Sequence, residues 1–397
     1  MDTPEEASED ARFLAAELPG TLAPAFGPSF IHSSRLYDEF VDRLALRAFR
    51  ASGLEAQARD WRGAEEMIAG AGLAPVQALV PVAWMLRRLA GRGILEMGDE
   101  PWRFRLRDAG ADLDPEPIRE AQIRWDPSWL PSYALAQMVA QDYPAVLRGE
   151  RTGEEVLFSP ARLRLWVEFF SNENTYYAVN NLVGAVAVDD ALPPRAVTAL
   201  ELGGGLGSGA TALLGRLHAA GRWGALAEYR FTEVIPAFLR RGQHALQTRF
   251  PEAGFLSFAA LDMNKPFPEQ GVADRSLTLV YAVNTLHVAR DLDVTLREIF
   301  RALAPGGRLV ISECVRHRAA QTVAVEFIFN LMQTFRSPTL HPVHRPNGGF
   351  LTPAQWRLAL EAAGFIDIEA VPDLTRLAVR FPEFCVAAFR GMRPDAC

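Results

Sequence analysis

The stretch ELGGGLGSG, Glu201 to Gly209, sets the tightest limit on what this chain can fold into. The apolar run VTAL (Val197–Leu200) leads into it, and the helix-forming run ATALLGRLHAA (Ala210–Ala220) leaves it. Strand, tight glycine turn and helix form the first unit of a nucleotide-binding α/β sheet. Gly203, Gly205 and Gly207 let the backbone turn sharply and approach a ligand with no Cβ in the way. The helix start behind them offers unpaired N–H groups and a positive partial charge. A glycine turn of this kind also serves dinucleotide enzymes. The acidic Glu201 ahead of the glycines narrows the choice.

Downstream, strands and helices alternate. LAEYRFTEV (Leu226–Val234) reads as the second strand, with Glu233 at its carboxyl end, followed by a helix in IPAFLRRGQHALQTRF. FLSFAALDMN reads as the third strand, ending at Asp262 and Met263. SLTLVYAVNTLHVARD is apolar through Val283 and opens at Asn284 to His287. DVTLREIFRALAPGGRLVISECVR gives a helix, a Pro-Gly-Gly turn and a fifth strand through Glu313. TVAVEFIFNLMQTF has the pattern of one amphipathic helix, and a further helix is capped at Thr352. IDIEAVPD and EFCVAAFR supply the last two strands. The order predicts a Rossmann-like, doubly wound, mostly parallel seven-stranded sheet with helices on both faces. Ligands bind such sheets beyond the carboxyl ends of the strands. Glu201, Glu233, Asp262, Asn284, His287 and Glu313 all fall there.

The 397 residues allow two or three domains, and 49% hydrophobic with 22% charged residues is ordinary for a globular protein. A net charge of −7 argues against wholesale nucleic-acid binding. Cys314, Cys385 and Cys397 have no metal-ligand spacing and read as reduced thiols. The acidic start MDTPEEASED has no apolar core, and no apolar run is long enough to span a bilayer. A cytoplasmic protein without membrane contact is therefore expected.

Residues up to about Glu9 read as a disordered tail, and the pattern from Ala11 to Ile68 is helical. A helix ending near Gly91 and two short strands, ILEMG and WRFRL, joined by a Gly-Asp turn, form a winged-helix outline, one unit of a mainly helical N-terminal region. Arg87, Arg88, Arg92, Arg103, Arg105 and Arg107 suit phosphate contacts in a DNA-binding unit. The negative overall charge favours a scaffold or dimerisation module instead, which makes a homodimer a candidate assembly. A helical block from Pro115 to Asp190 follows, dense in Phe, Tyr and Asn around FFSNENTYYAVNNL. Tyr177 and Asn181, four apart on one helix face, either reach into the pocket as part of a lid or fill contacts between domains. The boundary is placed at Leu192–Pro194.

The pieces ELGGGLG, FTEV, ALDMN, AVNTLH, LREIFRALAPGGRLVISE and GFLTPAQWRLALEAAGF together resemble the class I S-adenosylmethionine-dependent methyltransferase core, over about Ala196 to Arg390. The resemblance implies S-adenosyl-L-methionine as cofactor. It implies Glu201, Gly203, Gly205 and Gly207 along the methionine and ribose, and Glu233 on the ribose. Asp262 and Met263 would meet the adenine, and Asn284 would face the sulfonium. AVNTLHVARDL and GGRLVISE further resemble the carbon-methyltransferase domains of polyketide synthases, in which a His–Glu pair is formed; the matching residues are His287 and Glu313. The block around LRGE…LFSP…FFSNENTYYAVNNL is similar to the lid of methyltransferases in polyketide loading modules, some of which need a metal ion. The division expected is 1–114, helical and winged-helix-like; 115–192, a helical lid region; and 193–397, the methyltransferase core.

Neutral histidine suits proton abstraction near neutral pH, and a carboxylate on its other ring nitrogen fixes the tautomer. The reading is a methyltransferase of natural-product biosynthesis acting on an acidic carbon of an acyl or β-keto substrate, small or bound to a carrier protein. The alternatives are a small-molecule O-methyltransferase and a ligand-sensing regulator with a winged helix. His317, His341 and His344 are further ionisable candidates. Their spacing matches no metal motif, so no metal ligand is assigned.

Overall fold

A computed structural model describes residues 4–99, 102–107, 114–193 and 196–395. Pro194 of the expected boundary and Cys397 lie outside the described residues. The chain forms two compact units. One comprises residues 1–31, 170–319 and 338–397; the other comprises 32–169 and 320–337. These cuts differ from those read from the sequence, because the first 31 residues and the segment from Phe170 belong with the sheet.

The first unit is built on seven strands: β1 (Val197–Leu202), β2 (Leu226–Thr232), β3 (Leu256–Ala259), β4 (Leu277–Val283), β5 (Leu303–Cys314), β6 (Ile366–Val371) and β7 (Val386–Met392). Their order in the sheet is β3-β2-β1-β4-β5-β7-β6. All pairings are parallel except those of β7, which runs antiparallel to β5 and β6. The doubly wound, mostly parallel architecture is thus present. β1 and β4 lie at its centre and are buried almost throughout, which is why they read as apolar runs instead of alternating ones.

Helices α1 (Thr175–Ala191), α2 (Ser208–Ala219), α3 (Pro236–Arg249), α4 (Leu292–Ala302) and α5 (Pro353–Ala362) accompany the sheet. Helix α1 is a layer of this unit. Val179, Val183, Val186 and Ala187 are buried, and a Cβ on Gly184 would stand 2.7 Å from the Tyr281 hydroxyl. From Val179 onward, the part of the expected lid that falls in α1 is therefore packed within this unit. Helix α4 starts on Asp291, whose side chain accepts from Val294 N–H, and α5 starts on a Thr352–Gln355 capping box.

Two elements differ from the sequence reading. Pro4–Glu17 is a helix, where a disordered tail was expected up to about Glu9. Long-range partners hold it: Asp10 pairs with Arg380 at 2.8 Å, Glu17 pairs with Arg376 at 2.6 Å, and Phe13 packs edge-on to Phe381. No local pattern announces such contacts. TVAVEFIFNLMQTF is not one amphipathic helix but two single turns, Glu326–Phe329 and Gln333–Arg336. Here side chains take the backbone groups that a longer helix would use. The Phe327 carbonyl accepts from the Tyr143 hydroxyl, and the Asn330 and Leu331 carbonyls accept from Arg336.

The second unit holds the helices Pro75–Gly91 and Leu130–Leu147 and a two-stranded antiparallel ribbon, Leu95–Met97 with Phe104–Leu106. Five of the six arginines singled out from the sequence are engaged within the unit. Arg88 and Arg92 both bind the buried Asp42. Arg103 pairs with Glu66, Arg105 with Glu96, and Arg87 lies over the Trp102 ring. Burial pushes the Asp42 carboxyl up, while the two guanidinium groups pull it down. Arginines committed in this way are poorly placed to neutralise phosphates. Among the described residues, no helix is long and apolar enough to cross a membrane.

Candidate active site

The glycine turn after β1 is fixed by its surroundings. Gly203, Gly205 and Gly207 all have positive φ, at 59°, 57° and 89°. A Cβ on Gly203 would stand 3.0 Å from Thr285 Cγ2 and closer still to its hydroxyl, so only glycine fits. Gly205 faces open space, with nothing within 4 Å of a built Cβ. Gly207 is the N-cap of α2.

Glu201, the next-to-last residue of β1, is 1% exposed. It accepts from the Tyr229 hydroxyl at 2.9 Å and from the Ala210 N–H in the first turn of α2. Desolvation pushes its carboxyl up to about 8, with the Glu233 charge adding to the rise. Glu233 follows β2, and both its oxygens take backbone donors: Oε2 from Gly205 N–H at 2.9 Å and Oε1 from Ile235 N–H at 2.8 Å. Burial raises its pKa against the pull of those amides. Glu233 thus ties the end of β2 to the glycine turn. Asp262 is more open. Burial raises its pKa, but hydrogen bonds from Asn264 and the nearby Lys265 outweigh that and leave it below the usual range. Met263 lies beside it, its carbonyl accepting from Thr295.

At the carboxyl ends of β4 and β5 the structure brings four expected residues together. His287 sits in a buried 3-10 turn, Leu286–Val288, with Nδ1 2.6 Å from Glu313 Oε2. Glu313 is fully buried, and its other oxygen accepts from Leu286 N–H at 2.9 Å and Thr285 N–H at 3.2 Å. With a carboxylate as acceptor, this contact calls for the imidazole proton on Nδ1. Asn284 adopts a left-handed conformation, φ 47°, and its Oδ1 accepts from Cys314 N–H at 2.8 Å. Asparagine tolerates that geometry better than most residues. The Tyr177 hydroxyl, from α1, bonds the Asn284 side chain. Burial of that hydroxyl, then the Glu313 charge, pushes its pKa well above the usual value.

Asn181 takes a different direction from Tyr177. Its Nδ2 donates to Asn172 Oδ1 at 2.7 Å, and Asn172 donates to the Ser208 carbonyl at 2.9 Å. Ser208 in turn bonds the Phe170 carbonyl. This chain ties the segment before α1 to the start of α2, beside the glycine turn.

Two site residues carry no sequence signal. Arg345 is 1% exposed and donates to the carbonyls of His287 at 2.6 Å and Ala289 at 2.7 Å, holding both sides of the 3-10 turn. Desolvation brings its pKa down to about 10. The Phe350 ring packs 4.8 Å from the imidazole. Both lie in an irregular loop some 60 residues past His287, and no periodicity links them to it.

A family model described as a methyltransferase domain matches residues 200–309, from β1 into β5. The chain carries a methyltransferase domain there. S-adenosyl-L-methionine is its cofactor. The methyltransferase is 27% identical over 348 residues to polyketide synthase ThaG of Burkholderia thailandensis, covering 85% of this chain and 6% of that protein. It is 30% identical over 298 residues to polyketide synthase ThaQ of the same organism, covering 70% of this chain and 13% of that protein. It therefore spans only a small fraction of these curated relatives. Among solved structures it is similar to the CurJ carbon methyltransferase, with TM-score 0.77 and 22% identity over 98% of this chain and 99% of that one. It is similar also to the CMeT domain of the citrinin polyketide synthase, with TM-score 0.74 and 18% identity over 100% and 99%. At these identities the likeness speaks for the fold.

Proposed function

We propose that this methyltransferase places a methyl group on an acidic carbon of an acyl or β-keto substrate of polyketide type, carried as a thioester, with His287 as the base and Glu313 as its orienting partner. The observation that carries the reading is the buried His287–Glu313 contact at 2.6 Å at the carboxyl edge of the sheet. The names of the relatives, polyketide synthases and carbon methyltransferases, support the substrate class.

The cradle fits the cofactor. Gly205 opens onto free space, the start of α2 presents backbone N–H groups, and the Glu233 carboxylate stands beside them. Glu233 would take the ribose hydroxyls with the lone pairs its backbone amides leave, Asp262 and Met263 would meet the adenine, and Glu201 would hold the turn from beneath. When bound, the cofactor supplies an electrophilic sulfonium methyl. The chain's own residues do the rest. Glu313 holds Nδ1–H, so Nε2 takes the proton from the substrate carbon, and Glu313 stabilises the imidazolium formed. Arg345 fixes the turn that aims the ring, and Phe350 shields it from water. Asn284 and Tyr177 form a polar pair beside Glu313, suited to a substrate carbonyl whose oxygen gains charge as the proton leaves.

The test is incubation with S-adenosylmethionine and a β-ketoacyl thioester, with product analysis by mass spectrometry and carbon NMR. A gain of one methyl as C–CH₃ is expected. An O–CH₃ product, or no methyl gain with any such thioester, overturns the reading.

A further inference from the structure

The loop that supplies Arg345 holds a second cluster of side chains, outside the methyl-transfer machinery. His341 and His344 precede Arg345, and Asp293 lies in the first turn of α4. One ligand atom from each, two ring nitrogens and a carboxylate oxygen, lie within 4.8 Å of one another. His344 Nε2 is 2.6 Å from Asp293 Oδ1, and the two imidazole rings stack at 3.7 Å, only 9° from parallel. The backbone fixes this arrangement. His341 and Arg345 exchange N–H to carbonyl bonds at 2.9 and 3.0 Å, closing a tight turn. His341 Nδ1 accepts from the Val343 and His344 N–H groups at 3.2 and 3.4 Å. The residues line a surface depression together with Asp291 and Leu340.

Two imidazoles and one carboxylate are the donor set of a zinc-type ion that keeps a fourth position for water. With metal–ligand bonds of about 2.0–2.2 Å, tetrahedral donor atoms stand roughly 3.3–3.6 Å apart, so the His344–Asp293 contact would open and the widest separation would close, by shifts of about 1 Å. The charge suits a cation too. Asp291 and Asp293 outnumber Arg345, whose guanidinium is turned to the carbonyls of His287 and Ala289.

We propose that Asp293, His341 and His344 form a binding site for a divalent transition-metal ion of the zinc class, which clamps the His341–Arg345 turn to the start of α4. The ion takes no part in methyl transfer. It braces the loop whose Arg345 holds the His287 turn.

The full chain, untagged and stripped with a chelator, is titrated with zinc chloride by calorimetry and with cobalt(II) by visible absorption. One equivalent of zinc per chain is expected, with the d–d bands of a four-coordinate cobalt site and a melting temperature that rises with zinc. Removing an outer partner of a ligand costs about 10–100-fold in metal affinity, so loss of a direct ligand in His341→Ala is expected to cost about 100-fold or more. His341 is partly exposed, so this variant should still fold, with a metal-free melting temperature lowered by the lost ring stack and backbone bonds, and it should lose the zinc-induced rise. Asp293→Asn should weaken binding independently. Absence of saturable zinc binding by the wild-type chain, or equal affinity in His341→Ala, overturns the proposal. Neither outcome bears on the carbon methylation proposed above.

Discussion

Glu313→Gln is the most informative single change at the His287 pair. Glu313 Oε1 accepts from two backbone N–H groups, at 2.9 and 3.2 Å, while Oε2 faces His287 Nδ1 at 2.6 Å. Glutamine has one acceptor oxygen and one NH₂ group. If the NH₂ faced the Leu286 and Thr285 amides, two buried N–H groups would lose their acceptor, at about 1–3 kcal/mol each. The favoured orientation therefore puts the oxygen on the amides and the NH₂ toward Nδ1. The imidazole must then accept at Nδ1 and carry its proton on Nε2, where it can no longer act as a base. The wrong tautomer in a comparable His–carboxylate pair costs about 10⁴ in turnover. Turnover here is expected to fall by about 10³–10⁴, or roughly 4–5.5 kcal/mol in the barrier. The melting temperature should hardly move, because every hydrogen bond keeps a partner. Methyl transfer is followed by mass spectrometry at saturating cofactor, with cofactor affinity measured separately by calorimetry and expected to be unchanged. His287→Ala should lose a similar factor, and the double variant little more. Retention of more than about a tenth of wild-type turnover by Glu313→Gln would refute the reasoning, since a positioned base is worth at least about 10².

The pH dependence of stability should carry the mark of Glu201. Its carboxyl holds a proton in the folded state up to about 8, while the unfolded chain releases it near 4.5. Its contribution is complete below the unfolded value and is lost as pH rises through that window. Glu201→Gln should flatten the decline in urea-unfolding stability between these two pH values; an unchanged slope would reject the assignment. Glu233→Ala should weaken cofactor binding by about 1.5–3 kcal/mol, the range for hydrogen bonds to a charged group, and calorimetry showing equal affinity would remove Glu233 from the ribose site. Gly203→Ala, at φ 59° against Thr285, should cost about 1–3 kcal/mol of stability as well as cofactor affinity. Gly215→Ala, within α2 with nothing near the new methyl, should stabilise by about 0.5–1 kcal/mol. Thermal unfolding that ranks the two alanines the other way would contradict the geometry.

The sequence by itself determined the sheet and the positions of the polar residues at its carboxyl edge. That information is local. Apolar runs mark buried parallel strands, glycines mark the turn after β1, and an acidic or amide residue at each strand end marks the ligand side. The class of enzyme followed from the same pieces and from the resemblance they carry. Tertiary structure decided what those residues touch. Glu201 and Glu233, read as cofactor ligands, are already engaged by Tyr229 and by backbone amides across the turn. Helix α1, read as part of a lid, lies on the sheet because Gly184 lets it approach Tyr281. The run around Phe327 broke into single turns where Tyr143, 184 residues away, and the nearby Arg336 claimed its carbonyls. Arg345 and the His341–His344 pair belong to a loop with no period at all, and only the folded chain carries them to the His287 turn and to the start of α4. A strand's burial is written in its own composition, whereas a hydrogen bond between residues 58 apart depends on where the rest of the chain has put them.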